Sequence, residues 1–332
     1  KTNTQSATAF RGFGGPQGMF GIETVIEQIA NDIGKDPLDV RLLNIYKDPA
    51  VSGNPATMTT QYGQTIADWV GDKVINQVAS EAKYRERRDS VNAFNKVNKR
   101  RKRGLALVPL KFGISFTATM LNQGGALLNI YMDGSVSVNH GGTEMGQGLN
   151  TKMAQVCADG LGIDIKYVRV TGTDTQKVPN ASATSASSGA DINGAAIMNA
   201  TAQMRARLAP VAANMLGCQE TDVSFANNMA HGGGKSVAWT AVAKQAWMDR
   251  VGLSVTGFYM TPEIKYDFAT LTGHAFYYYC YGASVSEVEI DTRTGEWWLK
   301  AVDIVHDAGK SINPAIDKGQ IEGGYVQGMG WL

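Results

Sequence analysis

The run Ala126-Leu127-Leu128-Asn129-Ile130-Tyr131-Met132-Asp133-Gly134-Ser135-Val136-Ser137-Val138-Asn139-His140-Gly141-Gly142-Thr143-Glu144-Met145-Gly146-Gln147-Gly148 holds two kinds of pattern in one stretch. Apolar and polar residues alternate from Ala126 to Tyr131 and again from Ser135 to Asn139. Period two on both sides of Asp133-Gly134 predicts a β-hairpin, because that dipeptide tolerates the positive φ of a tight turn. The glycine-rich passage Gly141 to Gly148 then opens a helical spacing that runs to about Gly160. Glycines ahead of a helix let the backbone approach a ligand and leave N–H groups facing an anion. Strand pairs and helices in this order predict an α+β fold without strict β-α-β alternation.

Toward the N-terminus, Ile22, Val25, Ile26, Ile29, Ala30 and Ile33 follow helical spacing behind Arg11-Gly12-Phe13-Gly14-Gly15-Pro16, with Gly34 as the stop. Asp36 is an N-cap followed by Pro37, and Val40, Leu42 and Leu43 carry that second helix. Asp48 to Gly63 reads as a loop, and helix is expected again through Ile66, Trp69, Val70, Val74 and Val78. From Lys83 to Arg103, ten basic residues stand against two acids. A polyanion-binding patch is one reading; a solvated helix face leading into a charged boundary suits the near-neutral chain better. The pattern changes to strands at that point, so a domain boundary is expected near Gly104.

Toward the C-terminus, Leu105 to Phe116 and Tyr167 to Thr171 read as strands. Ala181 to Ala190 is a Ser/Thr/Ala tract, either a linker or a phosphate-holding turn, before a helix ending near Leu208. Trp239 to Asp249 looks helical, and Phe276 to Ile290 and Glu296 to His306 look like strands. Asn313-Pro314 caps a last glycine-rich helix containing Gln320, Glu322 and Gln327.

The 332 residues suit about two domains. The 38 glycines exceed the usual ~7% share. With 43% hydrophobic and 18% charged residues, a buried core is available. A net charge of +1 removes the electrostatic case for nucleic-acid or membrane-surface partners. No apolar run approaches the ~18 to 20 residues of a membrane span. Lys1 to Ser6 lack a signal-peptide core, and a start without Met is not expected to be native. Cys157, Cys218 and Cys280, odd in number and far apart, predict free thiols in a reducing compartment, taken as the cytoplasm. His140, His231, His274 and His306 show no ligand spacing, so no metal held directly by side chains is expected. Gly12-x-Gly14-Gly15-x-x-Gly18 lacks both the preceding strand and the spacing of a dinucleotide loop. Glu144, Glu287, Glu289 and Glu322 form no acid–base pair recognisable from spacing. Residue chemistry by itself reaches a ligand-cradling α+β protein.

Five segments carry the reading further. They are Ala7-Thr8-Ala9-Phe10-Arg11-Gly12-Phe13-Gly14-Gly15-Pro16-Gln17, Lys111-Phe112-Gly113-Ile114-Ser115-Phe116-Thr117 with Leu121-Asn122-Gln123, and His140 to Gly148. Val178-Pro179-Asn180 leading into Thr184-Ser185-Ala186-Ser187 follows, then Asn313-Pro314-Ala315-Ile316-Asp317 with Gly319-Gln320-Ile321-Glu322-Gly323. In this order they resemble signatures of the xanthine dehydrogenase/xanthine oxidase family and span nearly the whole chain. The resemblance implies a two-domain molybdopterin-binding region of the xanthine oxidase/aldehyde oxidase type. Residues 1–104 would be the C-terminal part of the first such domain, and 105–332 the second, with its C-terminal end missing.

The implied cofactor is a molybdenum-pyranopterin, as molybdopterin or its cytosine dinucleotide form. Its own sulfurs hold the metal, which accounts for the missing ligand spacing. Cofactor contacts are implied for Arg11, Met145, Gly146, Gln147, Thr184, Ser185, Ala186, Ser187 and Gln320. Phe13 and Phe116 match the pair that sandwiches a purine, Thr117 the residue that hydrogen-bonds it, and Ala186 the space beside the metal. Gly189 stands where the family carries Ser, a departure touching one cofactor hydrogen bond.

The implied activity, part of purine catabolism, is hydroxylation of xanthine or hypoxanthine with water as the oxygen source. Electrons leave through 2Fe–2S clusters and FAD on partner domains or chains. The family's Glu base belongs to a Val-Gly-Glu-Pro-like segment absent up to Leu332, so no catalytic residue is assigned, and neither Glu144 nor Glu322 is promoted. The chain is expected to be inactive alone and to work with the remaining molybdenum-domain segments in a homo- or hetero-oligomer. The rival enzymes are an aldehyde oxidase, against which Ser115-Phe116-Thr117 argues, and another N-heterocycle hydroxylase. A noncatalytic scaffold of the same fold would suit the absent base, while the intact Gln147 and Gln320 loops oppose it.

Overall fold

A computed structural model describes residues 10–54, 58–178 and 181–332. Ala7-Thr8-Ala9 and Pro179-Asn180 of the quoted segments lie outside the described residues. The helices are α1 (Gly15–Asp32), α2 (Pro37–Asn44), α3 (Pro49–Ser52), α4 (Gly71–Glu81), α5 (Tyr84–Val97), α6 (Leu149–Leu161), α7 (Gly189–Leu216), α8 (Trp239–Met248) and α9 (Pro314–Met329). The strands are β1 (Arg101–Ile114), β2 (Gln123–Ile130), β3 (Val136–His140), β4 (Val168–Val170), β5 (Ser224–Ala226), β6 (Met229–Gly232), β7 (Lys235–Ala238), β8 (Ser254–Met260), β9 (Lys265–Asp267), β10 (Thr272–His274), β11 (Tyr278–Asp291) and β12 (Trp297–Asp307). No helix among the described residues is long and apolar enough to cross a membrane. The chain divides into two compact units, one reaching Ile114 and adding Tyr266–Lys310 and Trp331–Leu332, the other Ser115–Lys265 with Ser311–Gly330.

In the first unit an antiparallel sheet has the order β1-β11-β12. Gly104, where the sequence suggested a boundary, pairs with Val288 inside this sheet. Fourteen residues of β1 register with β11, which commits Leu105 to Ile114 to the first unit. Val74, Ile75 and Val78 of α4 and Tyr84 and Val91 of α5 pack on Leu105, Leu107, Tyr281 and Val285. Asp36 caps α2 as expected, accepting the N–H of Leu38 at 2.8 Å. The expected helix from Ile66 begins only at Gly71. The Ile66 N–H donates instead to the Met58 carbonyl at 2.8 Å, beside the Thr59–Thr65 bridge, and is lost to any helix. The expected loop also contains α3, capped by Asp48.

The six arginines of the basic run all form ion pairs. Arg85 and Arg88 meet Asp36, Arg87 meets Glu287 and Asp303, Arg100 meets Asp291, and Arg101 and Arg103 meet Glu289. Acids brought back by α2, β11 and β12 thus neutralise a run that looked unbalanced along the chain.

Lys111 sits over three tyrosine rings, with Nζ 4.2 Å from the centroid of Tyr279, 5.2 Å from Tyr46 and 5.8 Å from Tyr62. Aromatic faces attract the cation. Burial nevertheless pushes its ammonium down to about 8 from the ordinary 10.5. Between those values the unfolded chain holds a proton that the folded chain has released, so stability rises with pH across that window. Lys111→Met is expected to raise the thermal midpoint most at neutral pH, with the gain shrinking as the pH climbs through the window. A gain independent of pH would contradict this.

In the second unit a sheet of order β4-β3-β2-β8 carries α6 and α7. The expected hairpin is present, with Ile130 opposite Val136 and Gly134 at φ 84. Leu128, Val138, Met153, Leu161, Ile197, Met204 and Leu208 are fully buried between sheet and helices. α7 runs through Pro210 to Leu216 instead of stopping near Leu208, because Val211, Ala212, Ala213 and Leu216 are buried as well. The small meander β5-β6-β7 beside α8 has no counterpart in the sequence reading.

Candidate functional site

The loop after β3 is ordered by its own polar groups. His140 is 1% exposed; its Nδ1 accepts the Gly142 N–H at 3.1 Å, which leaves the ring proton on Nε2, facing Asn150 Oδ1 at 3.1 Å. Burial lowers the His140 pKa against the opposing pull of Asn150 and Glu144, which suits this neutral form. Glu144 turns back and accepts N–H groups from Gly146 at 2.8 Å, Gly148 at 3.0 Å and Asn150 at 2.9 Å. It thereby caps α6, whose N-cap Gly148 has no side chain to do so. Burial raises the Glu144 pKa, but the surrounding N–H groups outweigh it and the net shift is downward. This carboxylate is occupied in shaping the loop. The Met145 N–H donates to Gln147 Oε1, and Gln147 Nε2 donates to the Thr143 carbonyl at 2.7 Å. Gly146 has φ 94, and a Cβ there would meet nothing within 4 Å. The Met145–Gln147 turn is therefore held from within and open outward.

Glu144→Gln is expected to cost about 0.5–1 kcal/mol through the weakened α6 terminus. A depressed carboxyl stabilises above its ordinary pKa and loses that effect as the pH falls, so the difference from the parent protein should narrow toward acid in thermal melts.

A second loop, Ser182 to Ser188, meets the first directly: the Thr143 N–H donates to Thr184 Oγ1 at 2.8 Å. Ala186 and Ser187 both occupy the left-handed region, with φ 56 and 57. That conformation costs a side-chain-bearing residue roughly 1–2 kcal/mol and clusters where loops serve ligands. α7 starts immediately afterwards, without a side-chain cap from Ser188. The N-terminus of a helix this long favours negative charge. The Ser/Thr/Ala tract is thus an ordered turn bonded to the first loop.

A third loop carries Phe116 and Thr117, both half-buried. It is linked to the second through Ser182, whose Oγ donates to the Gln123 carbonyl at 2.7 Å. Gln320 lies on α9, one turn beyond Ile316 on the same helix face. Ile316 packs against Gly148, where a Cβ would come within 2.6 Å. Asn313 Nδ2 donates to Gln155 Oε1 at 3.0 Å, and Lys152 pairs with Asp317. The second unit thus joins Met145–Gln147 with Thr184–Ser187 directly, and ties Phe116–Thr117 and Gln320 to them through intermediates. Glu322 is exposed and faces Lys318 at 3.7 Å.

Arg11 and Phe13 belong to the first unit, in the turn before α1. Phe13 is 73% exposed at φ 44, and its N–H donates to the Phe10 carbonyl at 2.7 Å. Among the described residues no three His, Cys, Asp or Glu side chains cluster to hold a metal ion.

The family description "Molybdopterin cofactor-binding domain" matches residues 77–332, and a second of the same wording matches residues 1–45. The chain belongs to the molybdopterin cofactor-binding domain family. It is 44% identical over 330 residues to the xanthine dehydrogenase of Emericella nidulans, covering 99% of this chain and 22% of that protein. With the xanthine dehydrogenase/oxidase of Gallus gallus the identity is 43% over 331 residues, again 99% of this chain and 22% of the relative. The chain therefore spans about a fifth of the length of these relatives. Among solved structures, quinoline 2-oxidoreductase from Pseudomonas putida 86 superimposes with a TM-score of 0.79 at 24% identity, covering 95% of this chain and 40% of that one. These matches bear out the expected α+β fold of the molybdopterin-binding type. At Gly189 an added Cβ would meet only Thr184 Cγ2 at 3.7 Å, so the position has room for a side chain. Sequence reasoning gave no role to Asn122, Ser182 or the Glu144 carboxylate; the Leu-Asn-Gln segment was the one available signal for the first.

Proposed function

We propose that this chain is the part of a xanthine-dehydrogenase-type molybdenum hydroxylase that cradles a pyranopterin and presents an aromatic face to a purine. The observation that carries the reading is the Thr143–Thr184 hydrogen bond, which sets the Met145–Gln147 and Thr184–Ser187 loops side by side. Their chemistry suits a phosphate-bearing heterocycle: an open glycine turn, consecutive left-handed residues, hydroxyls and a long helix whose Ser188 makes no side-chain cap. When bound, a molybdenum-pyranopterin supplies the redox centre for hydroxylation with oxygen from water.

Within that reading, Gln147, Thr184, Ser185, Ser187 and Gln320 offer amides and hydroxyls to the cofactor, while Met145 and Gly146 approach through their backbone. Ala186 keeps the adjoining space small-chained, Phe116 gives a ring to stack on, and Thr117 gives a hydroxyl to orient a purine. For the cofactor contacts of Arg11 and the second ring of Phe13, the support is the sequence match alone. Glu144 is committed to N–H groups and is not offered as a base. Iron–sulfur and FAD groups on other domains or chains, and a cytoplasmic setting, complete the proposal. Turnover of xanthine, hypoxanthine and a small aldehyde by the intact holoenzyme tests it. Purines are expected to be preferred in kcat/KM, and a preference for the aldehyde would overturn the substrate assignment.

A further inference from the structure

Asn122 is 2% exposed, in the second unit, between the Phe116 loop and β2. Its Oδ1 accepts the Phe116 N–H at 2.8 Å, and its Nδ2 donates to the Phe116 carbonyl at 2.8 Å. One side-chain amide thus satisfies both backbone groups of a single residue, as a neighbouring strand would. Nδ2 also reaches the carbonyl of Ala118 at 3.3 Å. Asn122 is itself anchored, because its carbonyl accepts the Thr261 N–H at 2.9 Å. Just ahead of Phe116, buried Ser115 has φ 153, a backbone conformation that persists where the surroundings over-determine it.

We propose that Asn122 is a positioning residue that sets the angle of the Phe116 ring for stacking on a planar heteroaromatic substrate. The inference rests on the assignment of Phe116 to the substrate. Stacking depends on ring orientation, and orientation here follows from a backbone segment pinned at both its N–H and its carbonyl. Truncating Asn122 leaves both groups in search of partners, and the loop can then settle in other geometries. A small aldehyde has no ring to stack and gains little from the fixed angle.

The test is a double-mutant cycle of Asn122→Ala and Phe116→Ala in the intact holoenzyme, with xanthine and a small aldehyde as substrates. Asn122→Ala alone is expected to lower kcat/KM for xanthine about tenfold, chiefly through KM, with aldehyde turnover and molybdenum content kept. In the Phe116→Ala background the same change should matter less than about twofold. Peptide hydrogen exchange over Ser115 to Thr119 should accelerate in Asn122→Ala. An undiminished Asn122 effect without the ring, or molybdenum lost in proportion to activity, would overturn the proposal. Should Asn122→Ala fail to fold, Asn122→Ser is judged by the same criteria, since its short hydroxyl cannot span both groups. If Phe116→Ala is costly and the Asn122 variants are silent, the positioning role alone falls. If Phe116→Ala is silent, the substrate assignment falls and takes this proposal with it.

Discussion

Adding one methyl group at Gly257 is expected to destabilise the second unit by roughly 3 kcal/mol. Gly257 lies in β8 opposite Ala126 of β2, with its other face toward α7. A Cβ there would stand 2.0 Å from the Ala196 carbonyl oxygen, 2.8 Å from the Ala200 nitrogen and 2.9 Å from Ala200 Cβ. Two of these atoms are helix backbone and cannot swing aside as the end of a long side chain would. Ala196 and Ala200 are both fully buried, so helix and sheet must move apart and open the core they share. Gly21→Ala is the control: apart from its neighbours and the backbone of its own helix, nothing lies within 4 Å of the added carbon in α1. Alanine in that helix should stabilise by ~0.5–1 kcal/mol. Denaturant unfolding of the two variants checks the contrast, and equal stabilities would refute the close packing of β8 on α7.

Phe116→Ala is expected to reduce kcat/KM for xanthine roughly a hundredfold while leaving molybdenum content near that of the parent. Removing the ring forfeits both apolar area and the stacking preference on a planar purine. The two loops proposed to hold the cofactor do not depend on it: Thr143 meets Thr184 directly, and Glu144 and Gln147 hold their turn with local hydrogen bonds. Equal loss of turnover and molybdenum would mean that Phe116 supports the fold and does not stack on substrate.

Much of the fold was legible where a few adjacent residues decide the outcome. Asp36-Pro37, Asp133-Gly134 and Asn313-Pro314 act through caps and turns within four residues, and each produced the expected element. Distant partners decided the failures. Ile66 spends its N–H on Met58, so helical spacing there came to nothing, and burial beyond Leu208 carried α7 through a proline. The basic run, read as a solvated face and not as a patch, proved balanced, though the acids of β11 and β12 that pair with it arrive some two hundred residues later. The candidate site divides in the same way. Its glycine turns were visible as a pattern and its residue roles as a family resemblance. The link from Thr143 to Thr184 and the grip of Asn122 on Phe116 depend on folding, and no spacing announces them.

The most direct test of the central claim is the molybdenum and pterin content of the native, intact protein that contains this chain. The cradle built from Met145–Gln147, Thr184–Ser187 and Gln320 predicts both, in equal molar amounts. Protein that is folded and intact but carries neither molybdenum nor pterin would contradict the account and leave a scaffold of the same fold in its place.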